Sequence, residues 1–177
     1  MFLKSLEIHG FKSFADKTEL VFLPPKEGKQ SITAVVGPNG SGKSNIADAM
    51  RWVLGEQSMK TLRGKKNEDI IFGGSTAKGN MSAASVSMII DNSDGRLPVE
   101  YEDLVITRRV YRSGESEYLV NGNTVRLLDL QILLANAHVG EGAYSVIGQG
   151  MIDRLLLQSS AERKDFFDEA FGIKEFH

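Results

Sequence analysis

Hydrophobic and polar residues change period several times along this chain, and each change predicts an element. Phe2, Lys4, Leu6 and Ile8 alternate with Leu3, Ser5, Glu7 and His9, the period-two pattern of a strand that ends at the turn around Gly10. TELVFL, Thr18 to Leu23, reads as another strand closed by Pro24 and Pro25. After the polar turn KEGKQ, the run SITAVVG is short, β-branched and almost continuously apolar, which predicts a strand buried on both faces. The spacing then lengthens. Ile46, Ala49, Met50 and Val53 recur at intervals of three and four, predicting a helix from about Lys43 to Leu54.

The second half returns to period two. SVSMIIDNSDGRLP and DLVITRRVYRSGESEYLVNGNTV read as antiparallel strands joined by turns at NSDG, SGES and NGN. RLLDLQILLANA is predicted helical, and AYSVIGQG is a strand running into a turn. From Ser159, whose side chain forms a capping box with Glu162, SSAERKDFFDEAFGIKEFH reads as a helix. Beyond Gly172, a candidate C′ residue, IKEFH neither turns nor winds down, so the chain is expected to continue past His177.

Composition narrows the classes. At 177 residues the chain is long enough for one domain, and 41% hydrophobic with 25% charged residues fits a soluble globular protein. The net charge of −2 confines any nucleic-acid contact to a local patch. With no cysteine, disulfides, thiolate metal sites and a cysteine nucleophile are excluded. MFLKSLEIHG lacks the apolar core of a signal peptide, and no apolar run approaches the roughly 18 residues of a membrane span. The expected location is therefore intracellular, with no membrane contact.

Candidate chemistry centres on AVVGPNGSGKSNIADAM, Ala34 to Met50. Gly37, Gly42, Lys43 and Ser44 satisfy the P-loop spacing G-x-x-x-x-G-K-S between a predicted strand and a predicted helix. Glycines let backbone N–H groups surround phosphate oxygens, and the helix points its positive end at the same oxygens. Lys43 would neutralise the β- and γ-phosphates of a nucleoside triphosphate, and the Ser44 hydroxyl would coordinate Mg²⁺. Such an enzyme also needs a strand ending in an acidic residue. VSMIID, Val86 to Asp91, is a candidate, but its alternation fits a half-exposed antiparallel strand and Asp91 opens the turn DNSDG. Asp91 is therefore read as a turn residue, and the acidic strand as lying elsewhere.

LKSLEIHGFKSFAD, VVGPNGSGKSNIADAMRWVLGEQS, LRG, IIFGGS, SGESEYLVNG and YSVIGQGMIDRLL together resemble the amino-terminal head lobe of structural maintenance of chromosomes (SMC) proteins, in register from residue 2 to the end. The resemblance implies an α/β fold, a half-domain of an ABC-type P-loop NTPase. Its mixed sheet would contain the P-loop strand, beside an antiparallel β layer built from the N-terminal strands and the hairpins of 82–126. Residues 1–158 would form the lobe, carrying the P-loop and a glutamine loop, and 159–177 would begin the helix leading to a coiled coil.

The same resemblance implies that ATP is bound by Gly37, Pro38, Asn39, Gly40, Ser41, Gly42, Lys43 and Ser44, with Asn45 beside them. Ser44 and Gln149, in GQG, would hold Mg²⁺, and Gln149 would also place the attacking water. Arg63 would reach the phosphates, a task suited to an always-charged bidentate guanidinium. The implied partners are the carboxy-terminal lobe of the same protein, which supplies the signature motif and catalytic glutamate, a second SMC head, a kleisin subunit and DNA. The expected location is the cytoplasm, at the nucleoid. The lobe alone is expected to be monomeric and nearly inactive. NAHVG departs from the family pattern, which usually has a threonine or serine with glycines before YS.

Two basic clusters could meet DNA phosphates: Lys60, Arg63, Lys65 and Lys66, and Arg108, Arg109 and Arg112. Acidic residues flank the second, and a charge run is more often a solvated face. Three other functions stay open at this point: an SMC-like double-strand-break repair ATPase, a self-contained small phosphotransferase using Asp91, and a scaffold whose P-loop no longer binds nucleotide.

Overall fold

The computed structural model describes residues 1–26, 31–95, 97, 99–136, 146–147 and 159. Strand β1 (Phe2–His9) and β2 (Thr18–Val21) are followed by helix α1 (Lys43–Val53). Strands β3 (Ala83–Asp91), β4 (Asp103–Tyr111), β5 (Ser116–Val120) and β6 (Asn123–Val125) come next, and helix α2 (Leu127–Asn136) closes the described part. The strands form one six-stranded sheet in the order β2-β1-β3-β4-β5-β6. Every pairing in it is antiparallel.

Turn chemistry sets the hairpins. Asn121 and Gly122, both at positive φ, join β5 to β6, as a two-residue turn requires. The Asn121 amide also reaches back to β4, accepting from the Val105 N–H at 2.7 Å and donating to the Asp103 carbonyl at 2.9 Å. After β3, the buried Asn92 side chain accepts from the Leu97 N–H at 2.8 Å and donates to the Tyr101 carbonyl at 3.1 Å, folding the loop onto itself.

Register puts the core on one face. Ala84, Val86, Met88 and Ile90 of β3 lie opposite Val110, Arg108, Ile106 and Leu104 of β4, and all of them are buried. Leu6 and Ile8 of β1 lie opposite Met88 and Val86, extending that face. Helix α1 covers it through Ala49, Trp52 and Val53. Phe11 and Trp52 meet with ring centroids 5.3 Å apart, tilted by 43°.

Arg108, on the core face, fixes where α1 ends. Its Nη1 donates to the carbonyls of Trp52 and Glu56, each at 2.8 Å. The guanidinium carbon lies 4.7 Å from the centroid of the Trp52 ring and 4.8 Å from that of Tyr118. Burial lowers its pKa from the usual arginine value, with Tyr118 and Glu56 pulling the other way.

Two expectations are revised. SITAVVG forms no strand among the described residues: 31–38 carry no sheet pairing, and Ile32 and Val36 are 94% and 89% exposed. A strand buried on both faces needs a neighbour along each edge, and no described strand lies beside this one. The parallel part of the expected mixed sheet is therefore not formed by the described residues. The cluster Arg108, Arg109 and Arg112 is not a phosphate-binding patch. Arg108 is buried, Arg109 faces Glu117 at 3.5 Å, and Arg112 donates to the carbonyls of Met81 and Phe72 at 2.6 and 3.3 Å. The predicted strand AYSVIGQG and the helix from Ser159 lie outside the described residues, save for Val146, Ile147 and Ser159.

Replacing Arg108 with Met strips two helix-end carbonyls of their charged donor. We expect a loss of about 2–3 kcal/mol in unfolding free energy by denaturant titration, with Arg108→Lys recovering only part of it. Gly10 has φ +63, and a Cβ there would run into the Ala83 carbonyl oxygen. Gly10→Ala should therefore cost at least about 2 kcal/mol in the same titration, where a loss under about 0.5 kcal/mol would contradict the tight β1–β3 approach.

Candidate functional site

The loop before α1 is shaped by backbone that only glycine takes easily. Gly40 has φ +83 and Gly42 has φ +89, in the left-handed region. Gly42 is the N-cap of α1, and a Cβ on it would sit 2.9 Å from Ser13 Oγ and 3.7 Å from the Phe14 ring. The Ser41 N–H donates back to the Pro38 carbonyl at 3.3 Å, and the Asn45 N–H to that of Gly42 at 2.8 Å. Lys43 Nζ turns into the loop and donates to the carbonyls of Gly37 and Pro38, both at 2.7 Å. Its ammonium thus sits over the concavity, while Ser44 in the first turn of α1 is exposed.

Two further segments close on this loop. Residues 11–14 form a tight turn, with Phe11 and Phe14 exchanging backbone hydrogen bonds at 3.0 and 2.8 Å. That turn delivers Ser13, whose hydroxyl accepts from Asn45 Nδ2 at 2.8 Å. The second segment is 58–64, a run of turns in which the Leu62, Arg63 and Gly64 N–H groups donate to Ser58, Lys60 and Met59 carbonyls. It delivers Arg63, at φ 54. Arg63 Nη2 donates to Asp48 Oδ2 at 2.5 Å and to Asn45 Oδ1 at 3.2 Å, and its Nε donates to the same Asp48 oxygen at 3.2 Å.

The structure thus brings Arg63 beside the loop of residues 37–45 and adds Lys12, Ser13 and Asp48. Asp48 left a signal in the sequence: it adjoins Ala49 and precedes Trp52 by one turn, which places a carboxylate on the apolar stripe of α1. Ser13 left none. Gln149 lies outside the described residues. Asp91 is the last residue of β3, and its side chain holds the turn that follows. Its carboxylate accepts from the Ser93 hydroxyl at 2.6 Å and the Ser93 N–H at 3.1 Å, contacts that lower its pKa. It pairs with Phe2, at the end of β1 away from Gly10, roughly 20 Å along the sheet from the segment that carries Ser13. Among the described residues no cluster of His, Cys, Asp and Glu could hold a metal ion.

The arrangement suits a polyphosphate. Its backbone is bent by glycines at the start of an 11-residue helix, and its lysine already sits on oxygen acceptors of the loop itself. A phosphate oxygen would exchange with those carbonyls as partner of Lys43. The exposed Ser44 hydroxyl is open to a phosphate-bound cation, so the residues present fit a metal–nucleotide pair.

Residues 2–148 match the family described as "RecF/RecN/SMC N terminal domain". A chromosome partition protein Smc of Clostridium kluyveri is 52% identical over 176 residues, covering 99% of this chain and 14% of the relative, so the chain spans about one-seventh of that protein. A solved structure described as "Structural biochemistry of ATP-driven dimerization and DNA stimulated activation of SMC ATPases" superposes with a TM-score of 0.85 at 34% identity, covering 96% of this chain and 99% of that one. The Smc head domain of Pyrococcus furiosus, bound to the C-terminal domain of ScpA, gives the same TM-score at 36% identity, covering 99% of this chain and 43% of that one. With its glycine loop, helix α1 and antiparallel sheet in a shared framework, the chain has the α/β P-loop fold of these heads and belongs to the RecF/RecN/SMC N-terminal domain family as an SMC head lobe.

Proposed function

We propose that this chain is the ATP-binding amino-terminal lobe of an SMC head. With its carboxy-terminal lobe and a second head it hydrolyses ATP to drive chromosome condensation, organisation and segregation. The observation that carries this reading is Lys43, folded over a glycine-bent loop at the start of α1 with Arg63 held beside the same turn. Residues 1–158 act as the lobe, and 159–177 begin the helix toward a coiled coil. The structure described by ATP-driven dimerization and DNA-stimulated activation of SMC ATPases supports a second head and DNA as partners, and the ScpA-bound Pyrococcus head supports a kleisin-type subunit. Lys60, Lys65 and Lys66 are exposed and remain the basic groups available to DNA. No helix among the described residues is long and apolar enough to cross a membrane, and the proposed site of action is the nucleoid in the cytoplasm. The isolated lobe is monomeric in this reading.

Catalysis rests on position and charge. Residues 37–45 cradle the triphosphate with backbone N–H groups, Lys43 neutralises its β- and γ-oxygens, and Arg63 adds a second fixed charge. Ser44 and Gln149 would hold Mg²⁺, which would supply further neutralisation of the phosphates. Gln149, whose amide both donates and accepts, orients water toward a glutamate of the other lobe. Asp91, the acidic group that a self-contained phosphotransferase would use, is engaged with Ser93 at the far end of β1 from Ser13. Its position favours a split ATPase over a self-contained phosphotransferase. The chromosome-partition relative favours chromosome organisation over break repair.

ATP turnover should be near background for the lone chain and should appear on mixing with the carboxy-terminal lobe. Lys43→Ala should then reduce it by about a hundredfold or more. Robust turnover by the lone chain would overturn the split-head reading. Gln149→Ala in the assembled head should lower turnover while leaving ATP affinity within about threefold of wild type. A loss of affinity matching the loss of turnover would remove Gln149 from the role of orienting water.

A further inference from the structure

Asp48 is 2% exposed and faces three cations. Lys12 Nζ lies 2.5 Å from its Oδ2, Arg63 Nη2 lies 2.5 Å from the same oxygen, and Arg51 Nη1 lies 3.5 Å from Oδ1. Charge balance does not require all three. Lys12, only 12% exposed and also bonded to the Leu62 carbonyl, already neutralises the carboxylate. Arg63 is half exposed, at 50%, where an ion pair by charge alone is worth little. It is held instead by direction: Nε and Nη2 both grip one Asp48 oxygen, and Nη2 also grips Asn45 Oδ1, next to Ser44. The grip persists although residue 63 has left-handed backbone, unfavourable for a side chain of this size. Among the described residues Nη1 has no partner, so that edge of the guanidinium is left for a ligand.

We propose that Asp48 is a positioning residue for nucleotide recognition. It clamps the Nε–Nη2 edge of Arg63 against α1, so that the Nη1 edge is offered to a phosphate oxygen of ATP seated on residues 37–45. The inference rests on the ATP-binding reading above. It assigns to Asp48 the orientation of Arg63, and to Lys12 the balance of Asp48's charge.

The test is a double-mutant cycle in ATP affinity, measured calorimetrically on the full-length protein, with melting temperatures recorded on the same samples. Asp48→Asn and Arg63→Ala should each weaken ATP binding by about tenfold, and the double variant should bind no more weakly than Arg63→Ala alone. A purely structural role for Asp48 would lower melting temperature in both backgrounds and weaken binding further in the double variant. Effects that multiply would thus overturn the proposal while leaving the nucleotide site intact. Wild-type protein that binds no ATP would overturn both.

Should Asp48→Asn fail to fold, Arg63→Lys decides the matter, because lysine keeps the charge but cannot be gripped along one edge while offering another. Its affinity should fall close to that of Arg63→Ala. Wild-type affinity in Arg63→Lys would overturn the proposal.

Discussion

The candidate site depends on how α1 is seated on the sheet, and that seating is governed by a buried guanidinium. Burying a charge among apolar groups is costly unless its donors are satisfied. Arg108 meets part of this cost with the Trp52 carbonyl at the end of α1, where the helix dipole also favours a cation, with the Glu56 carbonyl just beyond it, and with the Trp52 and Tyr118 ring faces, while its buried Nε has no hydrogen-bond partner. Because Arg108 belongs to a central strand paired on both sides, the end of the helix inherits the rigidity of the sheet. Trp52, caught between Phe11 and Arg108, carries that constraint to the turn holding Ser13.

A second buried charge acts at the middle of the same helix. Asp48 draws together Lys12 from the segment after β1 and Arg63 from the turns before β3, two pieces of chain far apart in sequence. The glycine loop is therefore one of three segments whose placement is decided together. Its own motif describes only the backbone, whereas the side chains around it are arranged by a carboxylate that the motif does not mention. Two charges of opposite sign, one at the middle of α1 and one at its end, pin a helix whose apolar contacts alone would leave its rotation and tilt less defined.

Much of this was legible in the chain. The helix bounds follow from the spacing of Ala49 and Val53, and the hairpins from SGES and from Asn121-Gly122. That the Asp91 carboxylate serves a turn was readable because its acidity came with Asn92, Ser93 and Gly95. Other features were hidden by the same rules. TRRVYR reads as a string of positive charge, yet alternation along β4 sends Arg108 inward with Leu104, Ile106 and Val110 and leaves Arg109 outside, so neighbouring charges do not share a surface. Asp48 belonged to the apolar stripe of a helix, where periodicity records hydrophobic residues and passes over a carboxylate with distant partners. SITAVVG has the composition of a central strand, but composition cannot supply the neighbouring strands that would make it one.

That exposed segment bears on the order in which such a lobe matures. Strands β3 to β6 follow one another along the chain and pair as successive neighbours, so they can form early at little entropic cost. Ile32 and Val36 have no such local option. If their neighbours come from a distant part of a longer chain, the antiparallel sheet stands complete while the phosphate loop still hangs from an unsatisfied apolar tether. In that interval two large apolar side chains beside the nucleotide loop face water, an opening for association with other exposed apolar surface.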